Sequence, residues 1–404
     1  MTQTLAPAGS RRAKAQETDI ASTAQVPLDA TEISLLRALR HGAKGRAELA
    51  QETGWSRNTV AAKLNRLIDS DWVSAGDATQ AERGRPSARY GLNPQAALTL
   101  VARFEGGFLE GTLCTLTGDQ IATGHQPLTA GYDPTQSLAD LRGLRDTLQA
   151  LPEATGPIRA CVLVVPGPVS GNGHTVPWSQ VGELPADLDA ALDMRIAVEN
   201  DANLMALGAI GEHPQAESLL YVLVQTGIGA GLAFGGQRGA GAHVHRGLGG
   251  WSGEVGHIPV RAAGDRPCIC GARGCLASVA SHVALLKALS TPDRILTTTQ
   301  ELQDLVAQGN IDAIVALRDA GRTIGEALVG LVTGLAPEVI CLGGPLVESS
   351  DHISAGVRES LNQRTPPALS QQLTVLAGRD HGDLARRGAV DRAFDLLLPP
   401  AAQP

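Results

Sequence analysis

Three of the six cysteines of the 404-residue chain lie between positions 268 and 275, in the stretch HIPVRAAGDRPCICGARGC that begins at His257. His257, Cys268, Cys270 and Cys275 are spaced His-x10-Cys-x-Cys-x4-Cys. An imidazole nitrogen and three thiolate sulfurs suit tetrahedral zinc. Gly271 and Gly274 allow the tight turns that wrapping an ion requires. Without a metal, three thiols this close would be an oxidation liability. All four positions are filled by protein, so a metal here is expected to staple the loop, with no vacancy for an activated water. Glu254 precedes His257 by three residues, in SGEVGH. A metal that fixes His257 also fixes where Glu254 points. The loop could then present a carboxylate and an imidazole edge to a ligand near Asn200 and Asp201.

Those two residues open the tetrapeptide Asn200-Asp201-Ala202-Asn203, in MRIAVENDANLMALGAIGE. The pattern is a buried strand, polar residues, then a helix. Ligands of α/β sheets bind at such strand ends. An Asn-Asp pair can hydrogen-bond adjacent sugar hydroxyls, and the Asp could take a proton from a hydroxyl attacking a phosphate. The same tetrapeptide is equally an Asx turn capping the helix. TGIGAG, residues 226–231, offers free backbone N–H groups for a phosphate. It is as readily a tight turn between strands.

The elements that must position these residues follow from pattern. LTLVARFEGGFLEGTLCTLTGDQIATGHQPL alternates as hairpin-linked strands. IRACVLVVPGPV, SLLYVLVQTGIGAGLAFGGQ and PEVICLGGPLVESSD are apolar strands running into glycine turns, interleaved with helices such as 311–334. This is an α/β architecture, with the 47 glycines expected largely at the turns.

The front of the chain differs. Ile33, Leu36 and Leu39, with Leu35 beside them, give helical spacing. A second helix is predicted over 46–53, broken by Gly54, and a third begins after the N-cap Ser56 with the stripe Val60, Leu64, Leu67, Ile68. Ala50, Gly54 and Val60 supply a small crossing residue, a turn and an apolar lock, the layout of a helix-turn-helix. Arg57, Asn58, Ala62, Asn65 and Arg66 fall opposite the stripe or at its start and could reach base edges and phosphates. DWVSAGDATQAERGRPSARYGLNP then reads strand, loop, strand, with Arg83, Arg85 and Arg89 toward the tip. Such a loop suits a minor groove or phosphates. Residues 1–27 read as a flexible tail, 28–95 as a winged helix-turn-helix DNA-binding domain and 96–404 as an α/β ligand-binding domain.

Composition agrees with a soluble protein: 43% hydrophobic and 18% charged residues, with no apolar run long enough to span a membrane. Residues 1–95 hold thirteen Lys and Arg against ten Asp and Glu, although the whole chain carries −8, so front and back suit different partners. No secretory h-region is present, and Cys114, Cys161 and Cys341 sit singly in apolar segments. The expected compartment is the reducing cytoplasm, where clustered cysteines favour metal over disulfide.

VPGPV, ENDAN, TGIGAG, GEVGH and CICGARGC, in that order, resemble the ROK family of repressors, open reading frames and kinases. The resemblance implies a winged helix-turn-helix followed by a two-lobed, actin-like ATPase (sugar-kinase-like) α/β domain. It implies zinc on His257, Cys268, Cys270 and Cys275, a sugar pocket lined by Asn200, Asp201, Glu254 and His257, and a homodimer or homotetramer. Two departures matter. Kinase members carry an Asp-x-Gly-Gly-Thr phosphate loop, whereas VARFEGGFLEGTL places Arg103 near the Asp position with no Gly-Gly-Thr in register. A cation there cannot organise Mg²⁺. The family pattern also continues to a sugar-contacting Glu where this chain has Ala277. That removes one acceptor, about 1 kcal/mol or more of sugar binding. The expectation is a repressor of carbohydrate-metabolism genes whose partners are operator DNA and a sugar effector, not an enzyme. The alternative is an ATP-dependent sugar kinase with Asp201 as catalytic base, and a third reading is a DNA-binding protein with a decayed pocket.

Overall fold

The computed structural model describes residues 28–79, 87–105, 108–128, 134–170, 188–235, 241–378 and 380–399. At the front, helices α1 (Ala30–Ala38), α2 (Arg46–Thr53) and α3 (Arg57–Asp69) pack with a three-stranded antiparallel sheet. Its strands are β1 (Lys44–Gly45), β2 (Val73–Thr79) and β3 (Ser87–Leu92), in the order β1-β3-β2. Local chemistry sets the helix ends. Asp29 and Glu32 form a reciprocal capping box on α1, and Ser56 Oγ accepts from Thr59 N to start α3. Gly54 ends α2 at φ +74°, a left-handed conformation that glycine adopts without strain. Leu35, Leu36, Leu49, Val60, Leu64 and Leu67 are fully buried between the three helices.

The body holds two five-stranded mixed sheets. The first contains β4 (Leu98–Glu105), β5 (Phe108–Cys114), β6 (Gln120–Pro127), β7 (Ile158–Val165) and β8 (Arg195–Asn200), ordered β6-β5-β4-β7-β8. β4, β7 and β8 run parallel, and α4 (Pro134–Gln149) and α5 (Leu188–Leu192) lie between strands in the chain. After β8 the chain enters α6 (Asp201–Gly211) and then the second sheet: β9 (Ser218–Val224), β10 (Ile228–Phe234), β11 (His243–Val244), β12 (Val339–Gly343) and β13 (Thr374–Ala377), ordered β11-β10-β9-β12-β13. Helices α7 (Ala277–Ala280), α8 (His282–Leu289), α9 (Thr299–Ala307), α10 (Ile311–Leu335), α11 (Pro345–Ser349), α12 (His352–Arg364) and α13 (Pro367–Ser370) follow β11 or flank β12. The last helix, α14 (His381–Leu397), returns across the molecule.

Many glycines serve crossings inside elements, besides the turns where the sequence places them. A Cβ on Gly208 of α6 would lie 2.1 Å from Leu384 O of α14, and one on Gly388 of α14 would lie 1.9 Å from Leu204 O of α6. The two backbones therefore touch. Gly321 of α10 and Gly356 of α12 repeat the arrangement, meeting Ile353 O at 2.1 Å and Arg318 O at 2.3 Å. Gly229 and Gly231 of TGIGAG lie within β10, where α6 crosses: a Cβ on Gly231 would meet Ala202 O at 2.3 Å.

α14 also completes the front module. Phe394 and Leu398 are 2% and 0% exposed and pack in the same core as Leu35, Leu36 and Trp72. Ala96, Ala97 and Leu116 join them, so this core draws on residues well beyond the front helices.

The α6–α14 contact gives a direct test. Gly388→Ala puts a methyl into a backbone carbonyl that cannot move alone, and should cost about 1–3 kcal/mol. Chemical denaturation measures it; an unchanged midpoint would show that the helices separate freely.

Candidate functional site

The second sheet and the loop after it build the site from backbone contacts. Ala230 N of β10 donates to Gly253 O at 2.7 Å. A Cβ on Gly253 would meet Ala230 O at 1.9 Å, and one on Gly256 would meet Ile228 O at 2.2 Å. Gly250 is held as closely against Val169 O, at 2.2 Å, on the loop that follows β7. These contacts seat the segment 250–257 along β10 and against the first sheet's loop. Glu254 and His257 are thereby brought to the end of β10 beside which α6 starts.

Asn200 and Asp201 form that start. Asn200 is the N-cap of α6: its Oδ1 accepts from Asn203 N at 3.1 Å, and its Nδ2 donates to Gly167 O at 3.0 Å. The capping alternative is therefore realised, and each polar atom keeps one further hydrogen-bonding position. Asp201 Oδ1 accepts from Ala202 N at 2.8 Å. Burial pushes its carboxyl up to about 6, against the opposing charges of Arg103 and His381. Glu254 is pushed to about 7, by burial first and then by the charge of Asp201. Two partly desolvated carboxyls thus act on one another electrostatically, a setting that favours hydroxyl ligands able to donate to them.

His257 faces two ways. Its Nδ1 lies 3.5 Å from Cys268 Sγ and its Nε2 lies 3.6 Å from Glu254 Oε2. Cys270 and Cys275 Sγ are 3.7 Å apart, and the four donor atoms fall within 4.8 Å of one another. Ligands of a tetrahedral ion at zinc-like bond lengths sit about 3.7 Å apart. The quartet can therefore hold a metal ion with small adjustments. The loop is prefolded for it: Cys268 N donates to Ala272 O at 2.9 Å, and Gly274 N donates to Arg266 O at 2.8 Å. Gly271 and Gly274 take φ +87° and +77°. Ala277 packs against the segment between Glu254 and His257, its Cβ 3.4 Å from the Cβ position of Gly256.

Sequence reasoning missed Glu199 and Arg246. Glu199 is 0% exposed, accepts from Asn203 Nδ2 at 3.0 Å and Asn200 N at 3.1 Å, and pairs with Arg246. It holds both asparagines of the motif in place. The available signal was a charged residue in an otherwise apolar strand, a position occupied only when paired.

At the front, Arg57, Asn58, Ala62 and Asn65 are exposed on one side of α3. Arg66 departs from that grouping: it pairs with Glu32 at 3.0 Å and Asp29 at 3.6 Å, beside Lys63, and so helps tie α3 to α1. Arg83 and Arg85 lie outside the described residues. Arg89 Nε donates to Ala43 O at 3.1 Å. In the body, Arg103 pairs with Glu110 across the β4–β5 hairpin at 3.2 Å.

Asp201 carries a pH test. Its folded-state pKa lies above the ordinary 3.8, so ionisation costs folding free energy. That cost is absent below about pH 4 and complete above about pH 6. Asp201→Asn keeps the oxygen that accepts from Ala202 N. It should stabilise the chain by about 1–3 kcal/mol near pH 8 and not near pH 4. Urea denaturation at both values decides; equal effects at the two would rule out the buried-carboxyl account.

A family model described as "ROK family" matches residues 112–393. The xylose repressor of Bacillus spizizenii is 25% identical over 365 residues, covering 89% of this chain and 93% of its own. Kanosamine kinase of Amycolatopsis mediterranei is 34% identical over 212 residues, covering 51% of this chain and 67% of its own. Among solved structures, a ROK family transcriptional regulator homologous to the Escherichia coli Mlc protein superposes with a TM-score of 0.76 at 22% identity. The match covers 92% of this chain and 98% of that one. The second sheet, the glycine-seated loop and the His-Cys quartet described above all lie inside the matched region, and the chain belongs to the ROK family.

Proposed function

We propose that this chain is a sugar-responsive transcriptional repressor. The observation that carries the reading is the union in one chain of an exposed Arg57/Asn58/Asn65 helix face with a sugar-kinase-like body. Similarity to a xylose repressor over nearly the whole length supports it. Residues 28–95 act as a winged helix-turn-helix, with α3 in the major groove and Arg83 and Arg85 adding positive charge for phosphates. Residues 96–404 bind a sugar or sugar derivative through Asn200, Asp201, Glu254 and His257. The protein works in the cytoplasm as a homodimer or homotetramer, whose two-fold axis matches paired operator half-sites.

His257, Cys268, Cys270 and Cys275 hold zinc. The ion is structural: it fixes the His257 ring and so the carboxylate of Glu254 beside it. Within the pocket, Asn200 and the two carboxyls accept and donate to ligand hydroxyls, while the cap geometry of α6 fixes their spacing. A sugar that binds one arrangement of the lobes better than another shifts the population and changes the spacing of the DNA-reading heads.

Three outcomes follow. Purified protein should bind its own upstream DNA selectively and with strong salt dependence. Arg57→Ala should weaken all sequences alike, while Asn58→Ala or Asn65→Ala should cost about 1–3 kcal/mol on the preferred site and relax selectivity. Absence of any selective binding in electrophoretic or anisotropy titrations refutes the repressor reading. Elemental analysis should find one zinc per chain, and the triple cysteine-to-serine variant should lose both the zinc and stabilisation by sugar in thermal melts. Retained sugar response in that variant would remove the metal from the pocket's support.

A kinase reading rests on the position of Asp201 and the similarity to kanosamine kinase. ADP release on a panel of hexoses, abolished by Asp201→Asn, would establish it in place of pure regulation.

A further inference from the structure

Two structural paths run from the pocket to the front module. The first is α14. Its N-terminal half lies backbone to backbone on α6, whose first turn carries Asn200 and Asp201. Its C-terminal half enters the core of the front helices through Phe394 and Leu398. Arg37 of α1 donates to Asp395 Oδ1 at 2.8 Å and to Leu398 O at 2.6 Å. Arg40, just beyond α1, pairs with Asp391, lies 3.7 Å from Asp395, and stacks 4.1 Å from the Phe394 ring centroid. Both arginine side chains are only 17% exposed.

The second path is the segment 241–246. At one end, a Cβ on Gly241 would lie 3.6 Å from Arg37 Nη2 and 3.8 Å from Asp395 Oδ2. At the other, Arg246 pairs with the fully buried Glu199, which holds Asn200 and Asn203. Arg392 of α14 sits between the ends, in the field of Arg246, Glu199 and Asp395. Its Nε is buried and has no hydrogen-bond partner among the described residues. A donor left unmade at the centre of such a ladder costs free energy in this arrangement and gives a second arrangement something to gain.

We propose that α14 and the Glu199–Arg246 pair couple the Asn200–Asp201 pocket to the front module, with Arg37 and Arg40 as the positioning residues that receive the signal. The inference rests on the repressor reading for its purpose, but the coupling itself does not require it. A shift of the α6 start moves α14 as a rigid body, because touching backbones cannot slide without separating. Movement of Arg246 with the ligand-side loop breaks its pair with Glu199 and leaves Arg392 as the replacement partner. Either displacement arrives at the same two arginines of α1 and its C-terminal end.

Hydrogen exchange on the full-length protein tests this by mass spectrometry. Glu199→Gln perturbs the pocket end, and Arg37→Ala with Arg40→Ala perturbs the far end. Coupling is reciprocal. Glu199→Gln should therefore speed exchange across residues 30–38, and the double variant should speed exchange across the start of α6, each by about tenfold. Helix α12, off both paths, should not change. Changes confined to the mutated end in the double variant overturn the proposal, and that variant decides alone if Glu199→Gln does not fold. A second arm uses D-xylose as probe and the protein's own upstream duplex. The double variant should keep both binding events and lose their mutual effect; an undiminished effect overturns the proposal. If exchange links the two ends while neither D-xylose nor other sugars alter DNA binding in the unaltered protein, the repressor reading fails and the coupling stands.

Discussion

The backbone contact between α6 and α14 is the constraint on which the rest of the structure depends. Gly208 and Gly388 each face a carbonyl of the opposite helix at a distance no Cβ could occupy. That contact fixes α6 against the C-terminal helix, and α6 begins at the Asn200 cap and Asp201. It also fixes α14, whose far end is built into the core of the front module. Remove the contact and Asn200 and Asp201 lose the element that spaces them. The front helices also lose Phe394 and Leu398. Small residues are what permit this, because dispersion and buried area reward backbones that approach, and a single methyl prevents it.

Around that contact, buried charge is used sparingly and in pairs. Glu199 is the most fully buried carboxylate of the site and is satisfied by Arg246 and two amide donors. Breaking such a pair would leave a charge in low dielectric, so its geometry is held more firmly than that of any surface ion pair. Asp201 and Glu254 are different. Desolvation pushes both carboxyls up, in Glu254 with the charge of Asp201 adding to it. The protein thus keeps one carboxylate paired for architecture and two poised nearer neutrality. His257 joins Glu254 to the cysteine cluster, with one ring nitrogen toward each.

Much of this was legible in the sequence because its signals are local. Cysteine spacing and two glycines marked the quartet, and the structure gathers the same four donors. Helical periodicity and the caps Ser56 and Gly54 marked the front helices within a residue or two. The Asn-Asp tetrapeptide left two readings open, a ligand site and a helix cap. The cap is realised at Asn200, and one hydrogen-bonding position on each amide atom remains for a ligand. The glycines of TGIGAG were harder: free N–H groups and a strand crossing look alike in one dimension, and the partner that distinguishes them, α6, is supplied by the fold.

The sequence by itself determined element types, the donor set of the quartet and the family pattern, since these depend on neighbours within a turn or a short loop. Only the tertiary structure decided which face of α3 stays free. Arg66 follows Asn58 and Ala62 at four-residue spacing but is drawn to Glu32 on another helix. Only the fold joined Arg37 and Arg40 to α14, some 350 residues away. It alone made Glu199 the shared partner of Arg246, Asn200 and Asn203. Long-range pairing of charges depends on which surfaces packing leaves adjacent, and no periodicity along the chain encodes that adjacency.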